Sequence, residues 1–309
     1  MTFLFGILAG LVMPAQTSIN TRLRKSLGTP FRASLVNFAV GLVFLILLSF
    51  ILGDHPPVPS EFAGLPWWLF VGGLCGVLVL TGNLFLFPVL GATQTVVFPV
   101  FGQIVMGLLI DTFGWFRVEP VPMTVWRGFG AALVFAGIVL VALGGNEPGA
   151  AKTSATDETS VSASTQMLFR AAGVLVGSLG AIQTSVNGNL GVALGSTVQS
   201  SIVNFVVGTT LLGAICLARH RKEPPATAKG PFWMWTGGIL GGAFVLFNVY
   251  LQHKLGTGMT VILNLIGLTG GGLIIDKTGL LQSPKRDVPL QKIFGVLIML
   301  TGAALIRLL

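Results

Sequence analysis

The sequence predicts an all-α integral membrane protein: ten transmembrane helices forming two five-helix repeats of opposite orientation. Three observations carry this. First, only 9% of residues are charged and 53% are hydrophobic, with a mean hydropathy of +0.86, far from the balance of a soluble domain. Second, the chain is duplicated. Gly10–Gly41 aligns without a gap on Gly177–Gly208 with 14 of 32 positions identical. The matches include Gln16/Gln183, Asn20/Asn187 and Asn37/Asn204, residue types that hydrocarbon disfavours and that a Leu-, Val- and Gly-rich composition does not align by chance. Third, five spans per repeat is an odd number, so consecutive repeats enter the membrane from opposite sides.

The spans follow in order as ten apolar segments long enough, or nearly so, to cross hydrocarbon as helices. In the first repeat (1–144) they are 3–21, 32–52, 66–87, 93–111 and 123–143. In the second (167–309) they are 168–187, 198–218, 232–252, 257–275 and 290–307. The first segment has no basic leader and its Lys/Arg cluster follows it, so it reads as a retained helix rather than a cleaved signal. After helix 2 the repeat resumes at a slightly different offset, with Trp68/Trp233, Gly72-Gly73/Gly237-Gly238, Asn83/Asn248, Asp111/Asp276 and Gly130/Gly295. The Gly72/Gly76, Gly237/Gly241 and Gly238/Gly242 spacings suit close helix contacts inside the monomer, since they recur in both halves. Residues 145–166, rich in Ala, Ser and Thr, read as a flexible linker. Cys75 and Cys216 lie in apolar runs without metal-ligand spacing.

Charge tests the inversion independently. With the N-terminus outside, 14 of the 18 basic residues fall on inside loops and flanks, leaving Arg117, Arg127, Lys254 and Arg307 outside. The positive-inside rule therefore places both termini outside. The cluster Arg22, Arg24, Lys25 and Arg32 aligns with Asn189, Gly191, Val192 and Gln199, an equivalent loop stripped of charge.

Helical spacing selects candidate binding residues. Gln16 and Asn20 are four apart and share one face, as do Gln183 and Asn187. Such amide stripes must face protein or water rather than lipid. They either hydrogen-bond a solute or bond across helices; Asn37 and Asn204, in apolar runs of helices 2 and 7, leave the same two readings. Gln94 and Gln103 of helix 4 align with Met259 and Leu268, and Pro99 with Asn264. This asymmetry suits an asymmetric solute, and Pro99 frees a carbonyl in mid-helix or simply kinks it. Asn83 and Asn248 fall near helix ends, where capping is expected. Asp111 and Asp276 end helices 4 and 9, where the helix dipole disfavours an acid. Each is a structural ion-pair partner, Arg117 or Arg127 for Asp111 and Lys277 for Asp276, or a proton-coupling group.

The QTxxN segments (Gln16–Asn20, Gln183–Asn187), the V-N-F-x-V-G segments (Val36–Gly41, Val203–Gly208) and the Gly-Gly and Asn pattern of helices 3 and 8 resemble the YdcZ-like family of the drug/metabolite transporter superfamily, in its fused two-half form. That resemblance implies an EamA-like fold in a bacterial inner membrane, with helices 1–4 and 6–9 around a cavity and helices 5 and 10 peripheral. The small multidrug members carry an acid in their first helix, which neither helix 1 nor helix 6 has here. A simple proton/cation exchanger is therefore disfavoured.

The expected function is secondary transport, in the export direction, of a small neutral, zwitterionic or amphipathic metabolite or drug-like solute by alternating access. A flippase for a lipid-linked headgroup is the alternative. No nucleophile–base pair or metal cluster is seen at transmembrane depth, so no enzyme, cofactor or metal is expected. Coupling to protons or sodium stays open. The expected partners are a small-molecule substrate and membrane lipids, with no nucleic acid, and the chain is a monomer or homodimer.

Overall fold

The computed structural model describes residues 2–143, 163–219, 229–282 and 289–308, and every regular element among them is helical. In order these are α1 (Thr2–Leu27), α2 (Pro30–Ile51), α3 (Val71–Phe113), α4 (Val125–Leu143), α5 (Ala163–Leu194), α6 (Thr197–Arg219), α7 (Gly237–Thr278) and α8 (Leu290–Leu308). Most of the expected linker lies outside the described residues. Its last four positions, however, already belong to α5, which starts at Ala163. Ala, Ser, Thr and Gln there favour helix well enough once the helix has nucleated in the apolar run beyond.

The same local devices punctuate both halves. Gly28 (φ +82°) ends α1, and the Thr29 hydroxyl caps α2 by accepting the Arg32 N–H at 3.3 Å ahead of Pro30. Gly195 (φ +68°) ends α5, and the Ser196 hydroxyl accepts the Gln199 N–H at 3.1 Å at the start of α6. Gly114 and Gly279, both left-handed, terminate α3 and α7 with N–H bonds to Ile110 and Ile275.

A straight helix of the 43 residues in α3 would run to about 65 Å, twice a hydrocarbon core. Instead α3 doubles back. Gly72, Gly76 and Gly82 meet Asn187, Gln183 and Val176 of α5 in descending order, whereas Phe98, Gly102 and Gln103 meet Gly173, Ser178 and Gly180 in ascending order. Leu86 and Phe98, twelve residues apart in sequence, both touch Gly173. The reversal falls between Leu86 and Phe98. α7 does the same: its first arm runs down α1 through Gly237/Asn20, Gly241/Gln16 and Phe247/Phe5, and its second returns through Leu263/Gly6 and Gly267/Gly10. The predicted helix pairs 66–87 with 93–111 and 232–252 with 257–275 are thus the arms of two hairpins with helical backbone through the bend. Asn83 and Asn248 accordingly sit inside helix and cap nothing, which corrects the expectation.

Among the described residues, seven stretches are long and apolar enough to cross a membrane: Thr2–Leu27, Pro30–Ile51, Trp67–Phe87, Gln94–Phe113, Ser164–Leu194, Thr197–Arg219 and Phe232–Gln252. Val125–Leu140, Leu263–Ile275 and Ile293–Ile306 are shorter apolar helices. Packing crosses between the halves: α1 lies chiefly on α7, α5 on α3, α2 on α6 and α4 on α8. The last pair is antiparallel, with Gly130 against Gly302 and Gly137 against Gly295. These four glycines are equivalent positions of the two halves, so each contact is the other's counterpart. Val134, Ile138, Val296, Met299 and Ala303 join Val100, Ile104 and Leu108 of α3 in an apolar cluster beside that seam.

Candidate functional site

The twin amide stripes land on glycines. In α1, Gln16 Nε2 donates to the Gly237 carbonyl at 3.3 Å, and Asn20 Oδ1 accepts Asn37 Nδ2 of α2 at 2.8 Å. A Cβ at Gly241 would stand 2.5 Å from Gln16 Nε2, and one at Gly237 would strike Asn20 Oδ1. In the other half Asn204 Oδ1 of α6 accepts both Asn187 Nδ2 at 3.1 Å and Gln183 Nε2 at 3.4 Å. A Cβ at Gly76 would stand 2.7 Å from Gln183 Nε2, and one at Gly72 would strike Asn187 Oδ1. Five of the six amides are buried and Gln183 is partly so. The structure therefore brings Gln16, Asn20 and Asn37 together in one triad and Gln183, Asn187 and Asn204 in another. Each triad ties two helices of one half to the hairpin of the other.

Further along each pair the backbones touch. Gly10 packs on the Asn264 carbonyl and Gly177 on the Pro99 carbonyl, while Gly267 meets the Ile7 carbonyl and Gly102 that of Val174. Asn264, the equivalent of Pro99, is buried and donates to Asn248 Oδ1 across the bend of α7, with Asn248 Nδ2 back-bonded to Phe244 O at 2.8 Å. Two closely packed units result, α1 with α7 and α5 with α3, each stitched by amides and by glycine-mediated contact.

The remaining candidates scatter. Gln94 accepts Arg170 Nε at 3.1 Å, joining the start of the second arm of α3 to α5. Gln103 lies beside Gly180, half-buried and with no hydrogen-bond partner among the described residues. Asp111 is buried and pairs with Arg127 Nη2 at 3.4 Å. Arg127 also donates to the Val121, Pro122 and Ile306 carbonyls, which ties the end of α3 to α4 and α8. Of the two partners expected for Asp111, the structure selects Arg127. Asp276 lies near the end of α7, and its side chain is outside the described residues.

Sequence reasoning missed the contacts that clasp the ends of the bundle. At one end Ser196 Oγ donates to Asp54, and Gln199 Nε2 donates to Asp54 Oδ1 at 3.5 Å and to the His55 carbonyl at 3.2 Å. His55 is raised above the ordinary imidazole range, first by the hydrogen bond from Nδ1 to the Pro56 carbonyl, then by the charges of Glu61 and Asp54. At the other end Ser26 Oγ donates to the Lys229 carbonyl at 2.6 Å, and Arg24 Nη1 donates to the Leu84 carbonyl. The signal available in the sequence was the replacement of Arg24 by Gly191, read there only as a charge difference.

A family model described as "Putative inner membrane exporter, YdcZ" matches residues 1–140 and 168–305. The inner membrane protein YdcZ of Escherichia coli (strain K12) is 27% identical over 144 residues, covering 46% of this chain and 95% of that protein. The relative is therefore a single unit about half as long. A crystal structure described only as that of a protein superposes with a TM-score of 0.66 over 99% of this chain and 95% of its own, at 15% identity. That likeness is one of fold alone.

Proposed function

The chain belongs to the YdcZ family of inner membrane exporters, and from that membership we propose that it is a secondary transporter working by alternating access. The cargo is a small neutral, zwitterionic or amphipathic solute carried in the export direction. The two halves form inverted repeats, a reading supported by the antiparallel packing of the equivalent helices α4 and α8 through Gly130/Gly302 and Gly137/Gly295. Inversion lets the halves exchange conformations, so that a site between them opens to each side in turn.

The observation that carries this reading is the division into two swapped bodies. α1 with α7 and α5 with α3 are each closely packed, and they meet through the α1–α3 side-chain cluster at one end and the α5–α7 contact at the other, with α3 also touching α7. A rocking motion that opens one end and closes the other leaves the packing within each unit intact. The amide triads then act as the glue of the moving bodies. Gln103, with its amide uncommitted, is the best-placed solute contact among the expected residues. Asp111 would have to leave a buried guanidinium to carry a proton, which makes it a structural ion pair. The family's function and the apolar helices favour a carrier over catalysis.

The test is a panel of metabolites screened for thermal stabilisation of the purified protein, followed by flux of the hits in liposomes with and without a pH gradient. Flux that saturates supports a carrier. A solute that stabilises but never crosses argues for a receptor or scaffold.

A further inference from the structure

The two ends where these units meet are equivalent in sequence and unlike in chemistry. At the α5–α7 end the backbones approach closely: Gly191 takes the Val249 side chain, whose γ-carbon would stand 2.8 Å from a Cβ there, and Gly188 packs on the Gln252 amide. At the other end the equivalents of Gly188 and Gly191 are Thr21 and Arg24, and those of Val249 and Gln252 are Leu84 and Phe87. There α1 and α3 meet through side chains rather than through backbone, Leu23 and Leu27 sharing a buried cluster with Ala33 and Leu84. Arg24 reaches across beside it to the Leu84 carbonyl.

The Arg24 guanidinium is half-buried and carries five N–H donors, of which one finds a partner in the protein. Of its basic neighbours, Arg22 donates to Ser26 Oγ at 3.2 Å and Arg32 to the Leu27 carbonyl at 3.4 Å, while Lys25 is exposed. The described acidic side chains Asp54, Glu61, Asp111 and Glu119 all lie at the opposite end, beyond the far termini of α2 and of the second arm of α3. Among the described side chains, the charges at the Arg24 end are basic, a surplus that attracts anions; Asp276, near the end of α7 at that same end, has its side chain outside the described residues.

We propose that Arg24 is the cargo-recognition residue of this mouth and that it selects a solute bearing a single carboxylate on an amphipathic or zwitterionic body. This rests on the transport reading above. A carboxylate takes two parallel N–H bonds from a guanidinium, a charge-assisted fork stronger than the single bond to Leu84 O that it displaces. A single guanidinium fork on Arg24 matches a monoanion rather than a phosphate ester. Displacing the Leu84 carbonyl also removes the polar tie between α1 and α3, leaving only the apolar cluster of Leu23, Leu27 and Leu84 to part when that end opens.

The experiment uses the full chain with three probes that share the phenylalanine body: N-acetylphenylalaninate, its near-isosteric neutral amide N-acetylphenylalaninamide, and the smaller cationic phenylalaninamide. Thermal stabilisation and liposome flux are measured for wild type, Arg24→Gln and Arg24→Lys. The expected result is a rise in melting temperature and flux with the carboxylate. In Arg24→Gln the carboxylate response falls at least tenfold while the neutral amide is unchanged, and Arg24→Lys is intermediate because it keeps charge without the fork. Stabilisation by the carboxylate that is lost in Arg24→Gln, with no flux of any probe, supports recognition and removes the transport reading. Flux of the neutral or cationic probe without the carboxylate overturns the proposal and leaves transport standing. Equal loss of all probes in Arg24→Gln, or no response of wild type to the carboxylate by either measure, also overturns it.

Discussion

Replacing Asn204 by alanine removes the one oxygen that receives two amide donors, Asn187 Nδ2 at 3.1 Å and Gln183 Nε2 at 3.4 Å. The equivalent substitution Asn37→Ala removes a single donor, to Asn20 Oδ1 at 2.8 Å. Interhelical side-chain hydrogen bonds in membrane proteins contribute about 0.6 kcal/mol on average and up to roughly 1.7 kcal/mol. Asn37→Ala should therefore cost about 0.6–1.7 kcal/mol. Asn204→Ala should cost about 1–3 kcal/mol, the longer of its two bonds contributing less. A methyl group in place of the amide adds a packing loss common to both, so the difference between them is the cleaner quantity. Reversible unfolding of the purified protein in mixed micelles, measured by steric trapping or denaturant titration, gives both values. Asn204→Asp, which keeps an acceptor for the two donors, should recover part of the loss. Equal destabilisation by Asn37→Ala and Asn204→Ala, or an Asn204→Ala variant within about 0.3 kcal/mol of wild type, would refute the shared-acceptor reasoning.

Gly177→Ala places a methyl group on the Pro99 carbonyl, a backbone atom that cannot swing away, and should abolish the monodisperse folded protein; Gly107→Ala, with open space around it, should leave the size-exclusion profile unchanged. Arg127→Ala strands the buried Asp111 carboxylate and should cost about 3–5 kcal/mol, whereas the double replacement Asp111→Leu, Arg127→Met should recover most of that in the same unfolding assay. His55, with its pKa raised in the folded chain, contributes stability that is fully present below the ordinary imidazole value and is lost as pH rises through the raised one. Its NMR titration should therefore have a midpoint above that of a free histidine, and Glu61→Gln should lower it. An unchanged midpoint in Glu61→Gln would remove the acid from the explanation.

Much of the helix inventory was legible in the sequence because hydrocarbon imposes length and apolarity on every span, and each expected segment falls on a helix or a hairpin arm. The Gln/Asn spacing also told correctly which amides share a face. What that spacing could not tell was whether the face meets solute or protein. Gln16 and Gln183 settle on glycines four residues apart in the opposite half, a pairing that depends on how α1 meets α7 and α5 meets α3 rather than on either stripe alone. Asn83 and Asn248 misled because the apolar segments end at 87 and 252, four residues beyond each, whereas the helical backbone runs on through the bend. Arg24 was visible as a charge, but its role depends on α3 placing a carbonyl opposite it.

The central claim is that α1 with α7 and α5 with α3 rock as two bodies, and interspin distances in liposomes test it most directly. Labels at Val192→Cys with Lys254→Cys report the α5–α7 end, and labels at Lys25→Cys with Val89→Cys report the α1–α3 end. Both pairs are read in a background lacking Cys75 and Cys216. The account predicts two distance populations at each end that shift in opposite senses when a stabilising solute is added. A single distance at both ends, unmoved by any solute that stabilises the protein, would contradict it.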